Sequence, residues 1–165
     1  MPLKLSGESA ELAERLGGTW LTTELDRDAR LRLARLGRVI ELSAQHELTH
    51  EGEPTAECGV VLRGRVALRT RVPERGVVTL LTVEPGDIVG WSALAWPYRA
   101  TSTAVTTEPT EMAMFDGARL RAALERDPHL AAALYPLVLR AVSRRLVGTR
   151  LQLLDLFTHN GTQPW

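Results

Sequence analysis

The sequence predicts a mainly β domain, a jelly-roll-like β-roll with flanking helices and a long C-terminal helix. Three observations carry this. Apolar residues recur at helical spacing up to about residue 36, change to short strand-like runs between residues 38 and 115, and return to helical spacing after Phe115. Turn signals rich in glycine and proline separate the short runs, as in sandwiches and barrels. The last helical stretch is longer than a small domain needs for itself.

Each element follows in order. Ala10, Leu12, Ala13 and Leu16 fall at helical spacing, and Gly17-Gly18 stops the run. Residues 1–20 read as an N-terminal helical extension, 21–157 as the domain, and 158–165 as a frayed, flexible tail. A second short helix carries Leu25, Ala29, Leu31, Leu33 and Leu36 among charged residues and ends at Gly37. Strand-like runs follow at Val39–Leu42, Glu47–His50, Val60–Leu62, Val66–Leu68 and Val77–Val83. Between them lie Glu51-Gly52-Glu53-Pro54, Arg63-Gly64, Pro73-Glu74-Arg75-Gly76 and Glu84-Pro85-Gly86-Asp87. Ala100–Thr106 and Glu111–Phe115 complete the strands. Asp116 caps a helix to about Arg126, and Asp127 caps the next, with Pro128 at its first position. That last helix runs to Phe157, about 45 Å long, and Pro136 bends only its first third.

Composition narrows the function. Lys plus Arg is 20 and Asp plus Glu is 20, so the formal charge is zero, which weighs against a nucleic-acid surface. The single cysteine, Cys58, allows no internal disulfide and suits a reducing cytoplasm, the expected location. It lies in the apolar run Cys58-Gly59-Val60-Val61-Leu62 and reads as a buried thiol, with a redox switch as the other reading. No signal-peptide core is visible, and no stretch approaches the ~20 apolar residues that span a bilayer. His46 and His50 share a face of one strand, as in a cupin-type metal site, but no third ligand stands in register with them. There is no Gly-x-Ser-x-Gly and no Walker loop. The chain reads as non-enzymatic, with no membrane partner.

The most informative stretch is Pro85-Gly86-Asp87-Ile88-Val89-Gly90-Trp91-Ser92-Ala93-Leu94, then Pro97-Tyr98-Arg99-Ala100-Thr101. It resembles the phosphate-binding cassette of the cyclic-nucleotide-binding domain family, which includes the catabolite-activator regulators. The family pattern is P-G-D-x-x-G-E-x-A-L, then P-R-[ST]-A-T. Gly52 resembles the family's early turn glycine, Val61-Leu62-Arg63-Gly64-Arg65-Val66 its hairpin, and Arg144-Arg145-Leu146 with Thr149 the end of its long helix. The resemblance covers about Leu25 to Phe157. It implies the cyclic-nucleotide-binding β-roll and a stand-alone sensor or regulatory domain acting through a protein partner. The implied ligand is a cyclic nucleotide or another small anion, with no other cofactor.

The resemblance also assigns a site. Gly90 lets the backbone approach a ligand. Ser92, Ala93 and Leu94 start a short helix whose free N–H groups attract an anion. In the family a glutamate takes the ribose hydroxyl, an arginine pairs with the cyclic phosphate, and a Ser or Thr beside it adds a hydrogen bond, followed by Ala100 and Thr101 here. Thr149 matches a position whose hydroxyl touches the purine. Two charged positions depart: Trp91 stands at the glutamate and Tyr98 at the arginine, while Arg99 falls at the Ser/Thr position. A one-residue shift in an extended segment sends a side chain to the opposite face. Each lost charged hydrogen bond is worth about 1.5–3 kcal/mol, so tight cyclic AMP binding is not expected. Three readings stay open: cyclic nucleotide binding, a changed ligand stacked on Trp91 or Tyr98 with its charge on Arg99, and a ligand-free structural or interaction module.

In the family the long helix pairs with its twin, which implies a homodimer. Leu134, Val138, Ala141, Arg145, Gly148, Leu151 and Asp155 follow one heptad-like row, and Leu146, Val147, Leu151, Leu153, Leu154 and Phe157 form a clearer apolar end. The catabolite-activator relatives continue into a helix-turn-helix. Here the sequence stops at Trp165, so no DNA binding is expected.

Overall fold

The turn residues divide the middle of the chain into eight strands, which fold into two antiparallel sheets of four. The structure is a computed structural model. It describes residues 7–159, with side chains through residue 152. The strands are β1 Gly37–Leu42, β2 Glu47–Thr49, β3 Glu57–Arg63, β4 Val66–Val72, β5 Gly76–Val83, β6 Ile88–Val89, β7 Thr103–Thr106 and β8 Thr110–Asp116. One sheet has the order β1-β8-β3-β6, the other β2-β7-β4-β5. Register places Cys58 opposite Phe115 and Val60 opposite Ala113 in the first sheet. Ala67 lies opposite Val105, and Leu68 opposite Ala104, in the second. Val61, Val66, Val83, Val89 and Met112 fill the space between the sheets.

Four helices cover the outer face of the first sheet: α1 Gly7–Gly17, α2 Arg27–Ala34, α3 Gly117–Arg126 and α4 Pro128–His159. Aspartates fix three of their starts. Asp26 accepts from the Ala29 N–H at 2.7 Å, Asp116 from Arg119 at 2.8 Å and Asp127 from Leu130 at 3.0 Å, satisfying N–H groups that a helix start leaves without partners. Leu16 of α1, Leu33 of α2, Leu120 of α3 and Leu134, Leu137, Val138 and Ala141 of α4 bury together against Val60, Ile88 and Phe115. Cys58 lies in the same cluster. Burial, with the Glu57 carboxylate beside it, pushes its thiol up to about 12, so at neutral pH it is an inert core residue.

Two details differ from the sequence reading. Residues 88–89 form a short strand, β6, where the sequence shows only a loop. Residues 100–102 are bends rather than strand, because Ala100 exchanges backbone hydrogen bonds with Gly52 and Glu53 instead of joining β4. Of the heptad-like row, Leu134, Val138 and Ala141 pack into the domain's own core, one of the two packings the sequence allows, onto the roll or onto a second copy. The apolar side chains that α4 leaves exposed are Tyr135, Leu139, Leu146, Val147 and Leu151. The side chains of Leu153, Leu154, Asp155 and Phe157, and most of the tail, lie outside the described residues.

An ion pair ties α1 to the first sheet: Arg15 donates to Glu111 at 2.6 Å. The Arg15 hydrogen bond holds the Glu111 carboxyl below its ordinary value of 4.5. A carboxylate depressed in the folded state contributes stability above its unfolded pKa and loses it as pH falls through the folded value. Thermal melts on acidification below pH 4.5 should therefore fall more steeply in the wild type than in Glu111→Gln; parallel curves would show that the pair contributes nothing.

Candidate functional site

Gly90 ends β6 in the left-handed region, at φ 71°. A Cβ there would stand 2.5 Å from the Glu57 carbonyl oxygen, so glycine is required on both conformational and steric grounds. The turn leads into a short 3-10 helix, Trp91–Leu94. The Ala93 N–H closes back on the Gly90 carbonyl at 2.9 Å. Ala93 is fully buried, and Leu94 packs against the helical core. Ser92 is buried and donates to the Thr55 hydroxyl at 3.1 Å.

The segment after this helix is pinned to the turn at residues 52–55. Thr55 N–H donates to the Tyr98 carbonyl at 2.7 Å, and Ala100 N–H to that of Glu53 at 2.8 Å. Tyr98 itself adopts φ 57°. Its ring lies under the Arg121 guanidinium, 4.2 Å from the centroid, a cation–π contact. Arg121 also donates to the Ala93 carbonyl. Arg99 donates to the Gly52 carbonyl at 2.8 Å on the exposed surface.

Between the second sheet, the 3-10 helix and α4 lies a cavity of about 290 Å³. Leu68 and Leu81 line it from the second sheet, Trp91 from the loop, and Val142 and Leu146 from α4. Thr49, Ser92, Thr101, Ser102 and Thr149 add hydroxyls. Of the residues singled out in the sequence, the structure brings Gly90, Trp91, Ser92, Ala100, Thr101 and Thr149 to this cavity. Ala93 and Leu94 support it from behind, in the core. Tyr98 and Arg99 do not line it.

The one cation among the described residues that line the cavity was placed by the sequence at the end of the long helix, not in the site. Arg145, on α4, is largely enclosed, with 11% of its side chain exposed. It donates to the Ile88 carbonyl and stands 3.4 Å from Asp87. Its Nε is enclosed and has no hydrogen-bond partner. Burial pushes the guanidinium down from its ordinary value, and Asp87 opposes this. A signal was available: Arg145 precedes Thr149 by one helical turn, and residues so spaced share a face. The Thr149 hydroxyl in fact donates to the Arg145 carbonyl at 2.9 Å.

His50 pairs with Glu47 at 3.0 Å. Among the described residues no three His, Cys, Asp or Glu side chains gather as a metal ion needs, and no helix is long and apolar enough to cross a membrane.

The family model of the cyclic nucleotide-binding domain matches residues 39–127, more than half of the chain. The chain belongs to the cyclic nucleotide-binding domain family. This family is a non-catalytic regulatory module, and the two-sheet roll with its long C-terminal helix is its architecture. The chain is 30% identical over 118 residues to the CRP-like cAMP-activated global transcriptional regulator of Mycobacterium tuberculosis, a match that covers 71% of this chain and 50% of that one. The chain thus spans about half the length of that regulator. Among solved structures, it resembles a cyclic nucleotide-binding-type protein of Geobacter metallireducens GS-15 at TM-score 0.72 and 28% identity, covering 81% of this chain and 97% of the other. It also resembles the N-terminal domain of a transcriptional regulator from Streptomyces coelicolor A3(2), at TM-score 0.64 and 29% identity, covering 82% and 92%.

The Gly90 turn is the family feature most exposed to test. Gly90→Ala should lower stability by about 1–3 kcal/mol or more, read as a lower urea midpoint. An unchanged midpoint would mean that the turn is not held against Glu57.

Proposed function

We propose that this domain is a non-enzymatic regulatory sensor whose phosphate-binding cassette is degenerate, so that it does not hold cyclic AMP tightly. The observation that carries the reading is the loss of charge from the loop. Trp91 and Tyr98 replace the acid and the arginine of the family pattern, and Arg99 is engaged with the Gly52 carbonyl. An indole only donates a hydrogen bond, and a phenol carries no positive charge near neutral pH. A buried phosphate without a paired cation is costly.

In this reading residues 21–157 form the sensor, and α4 carries its output to a second copy of the chain and to a protein partner. The exposed apolar set Tyr135, Leu139, Leu146, Val147 and Leu151 supports the self-association. The zero formal charge supports a role without direct DNA contact.

Titration calorimetry with cyclic AMP and cyclic GMP tests the ligand side. The wild type should show no dissociation constant in the low micromolar range or tighter, and Trp91→Glu with Tyr98→Arg should gain affinity. A wild-type constant in the low micromolar range overturns the proposal. For the output surface, light scattering should report a dimer that Leu139→Glu with Val147→Glu makes monomeric; a monomeric wild type at high micromolar concentration counts against it.

A further inference from the structure

Resting on the sensor reading above, we infer that the cavity takes a small organic carboxylate with an aromatic or aliphatic body, and that Arg145 of α4, not the loop, holds its charge.

The walls set the body. Leu68, Leu81, Trp91, Val142 and Leu146 present apolar surface on several sides of a cavity of about 290 Å³, a size suited to a small ligand that is mostly apolar. The hydroxyls set the limit on polar groups. Thr49 donates to the Ser102 carbonyl at 3.0 Å, Thr149 to that of Arg145 at 2.9 Å and Ser92 to Thr55 at 3.1 Å. Their hydrogens are committed inside the protein. Among the described lining residues, the side-chain donors left are Arg145, the indole N–H of Trp91 and the hydroxyls of Thr101 and Ser102.

Arg145 sets the charge. No carboxylate lines the cavity, and Arg145 is its one ionic side chain among the described residues. Its Nε is enclosed without a partner, and Asp87 stands at 3.4 Å, longer than a good charged hydrogen bond. A guanidinium is a planar fork that meets two carboxylate oxygens at once. One fork matches a carboxylate. The same fork would meet a phosphate, but a cyclic nucleotide also brings a ribose hydroxyl and a polar base to walls that are largely apolar.

Asp87 is then the competitor of the ligand. Because the Nε is enclosed in the free protein, the guanidinium turns from Asp87 and the Ile88 carbonyl toward the cavity to meet the ligand carboxylate, and the Asp87 contact loosens as it does so. Binding therefore changes how α4 is tied to the turn before β6.

The test uses the full chain in calorimetry and thermal shift with 3-phenylpropanoate and octanoate. Their primary amides serve as uncharged controls and cyclic AMP as the family comparison. Both carboxylates should bind and raise Tm, and the amides should bind at least roughly tenfold more weakly, the factor a lost charged hydrogen bond carries. Arg145→Met should remove the preference for the carboxylate. Because that change also leaves Asp87 without its partner, Asp87→Asn is the second variant. It keeps the oxygen that accepts from the Ile88 N–H at 2.7 Å and removes the competing charge, so it should tighten carboxylate binding. Equal binding of acid and amide overturns the inference while leaving a ligand-binding sensor in place. So does carboxylate binding that is unchanged in both variants, or its absence at millimolar concentration. Low-micromolar cyclic AMP binding by the wild type overturns the degenerate-cassette reading on which the inference rests.

Discussion

A guanidinium withdrawn from water has to be answered by an opposite charge or by acceptors, because its desolvation otherwise costs several kcal/mol. Arg145 is such a group, and its answer is Asp87 with the Ile88 carbonyl. Much else depends on this contact. The first half of α4 is fixed by Leu134, Leu137, Val138 and Ala141 in the helical core. Beyond Ala141 the helix leaves that core and becomes the wall of the cavity. Arg145 sits where this change occurs, and the pair fastens the wall to the turn before β6. Neutral pH leaves the guanidinium charged even though burial lowers its pKa.

The loop brings no positive side chain to the cavity. Its backbone is held in place on both sides, by Gly90 against Glu57 and by residues 98–100 against the turn at 52–55. Within that frame Tyr98 lies under Arg121, and Arg99 reaches out to Gly52. Both side chains are thus directed away from the cavity. A charge carried on α4 has a different consequence from one carried on the loop. A ligand that engages Arg145 binds the helix as well as the roll, so occupancy and helix position become one coupled equilibrium. Trp20 adds a second hold on the same helix, with the Arg144 guanidinium 4.4 Å from its ring centroid, while Glu24 accepts from Arg140 at 2.7 Å.

Much of this was legible in the sequence, for local reasons. Asp116 and Asp127 cap the two helices they were expected to cap, and Gly52, Gly64, Gly76 and Gly86 stand at positive φ where turns were expected. The cassette placed Gly90, Trp91, Ser92, Ala100, Thr101 and Thr149, all of which line the cavity. What stayed hidden depends on long-range packing. β6 is two residues long, too short for any period to show. The directions of Tyr98 and Arg99 follow from a positive φ at Tyr98 and from a partner, Arg121, on a helix that begins after the last strand. Arg145 sits in a basic helix in which any arginine could have faced the cavity, and only packing against Ile88 and Asp87 selects it.

The most direct test of a charge supplied by α4 is the side-chain resonance of Arg145 in nitrogen-15 NMR, assigned by comparison with Arg145→Lys. An enclosed Nε–H without a partner should exchange slowly with water in the free protein and shift when 3-phenylpropanoate is added, while the Arg99 resonance stays put. A fast-exchanging Arg145 Nε–H that ignores the carboxylate, or a shift confined to Arg99, would contradict the account.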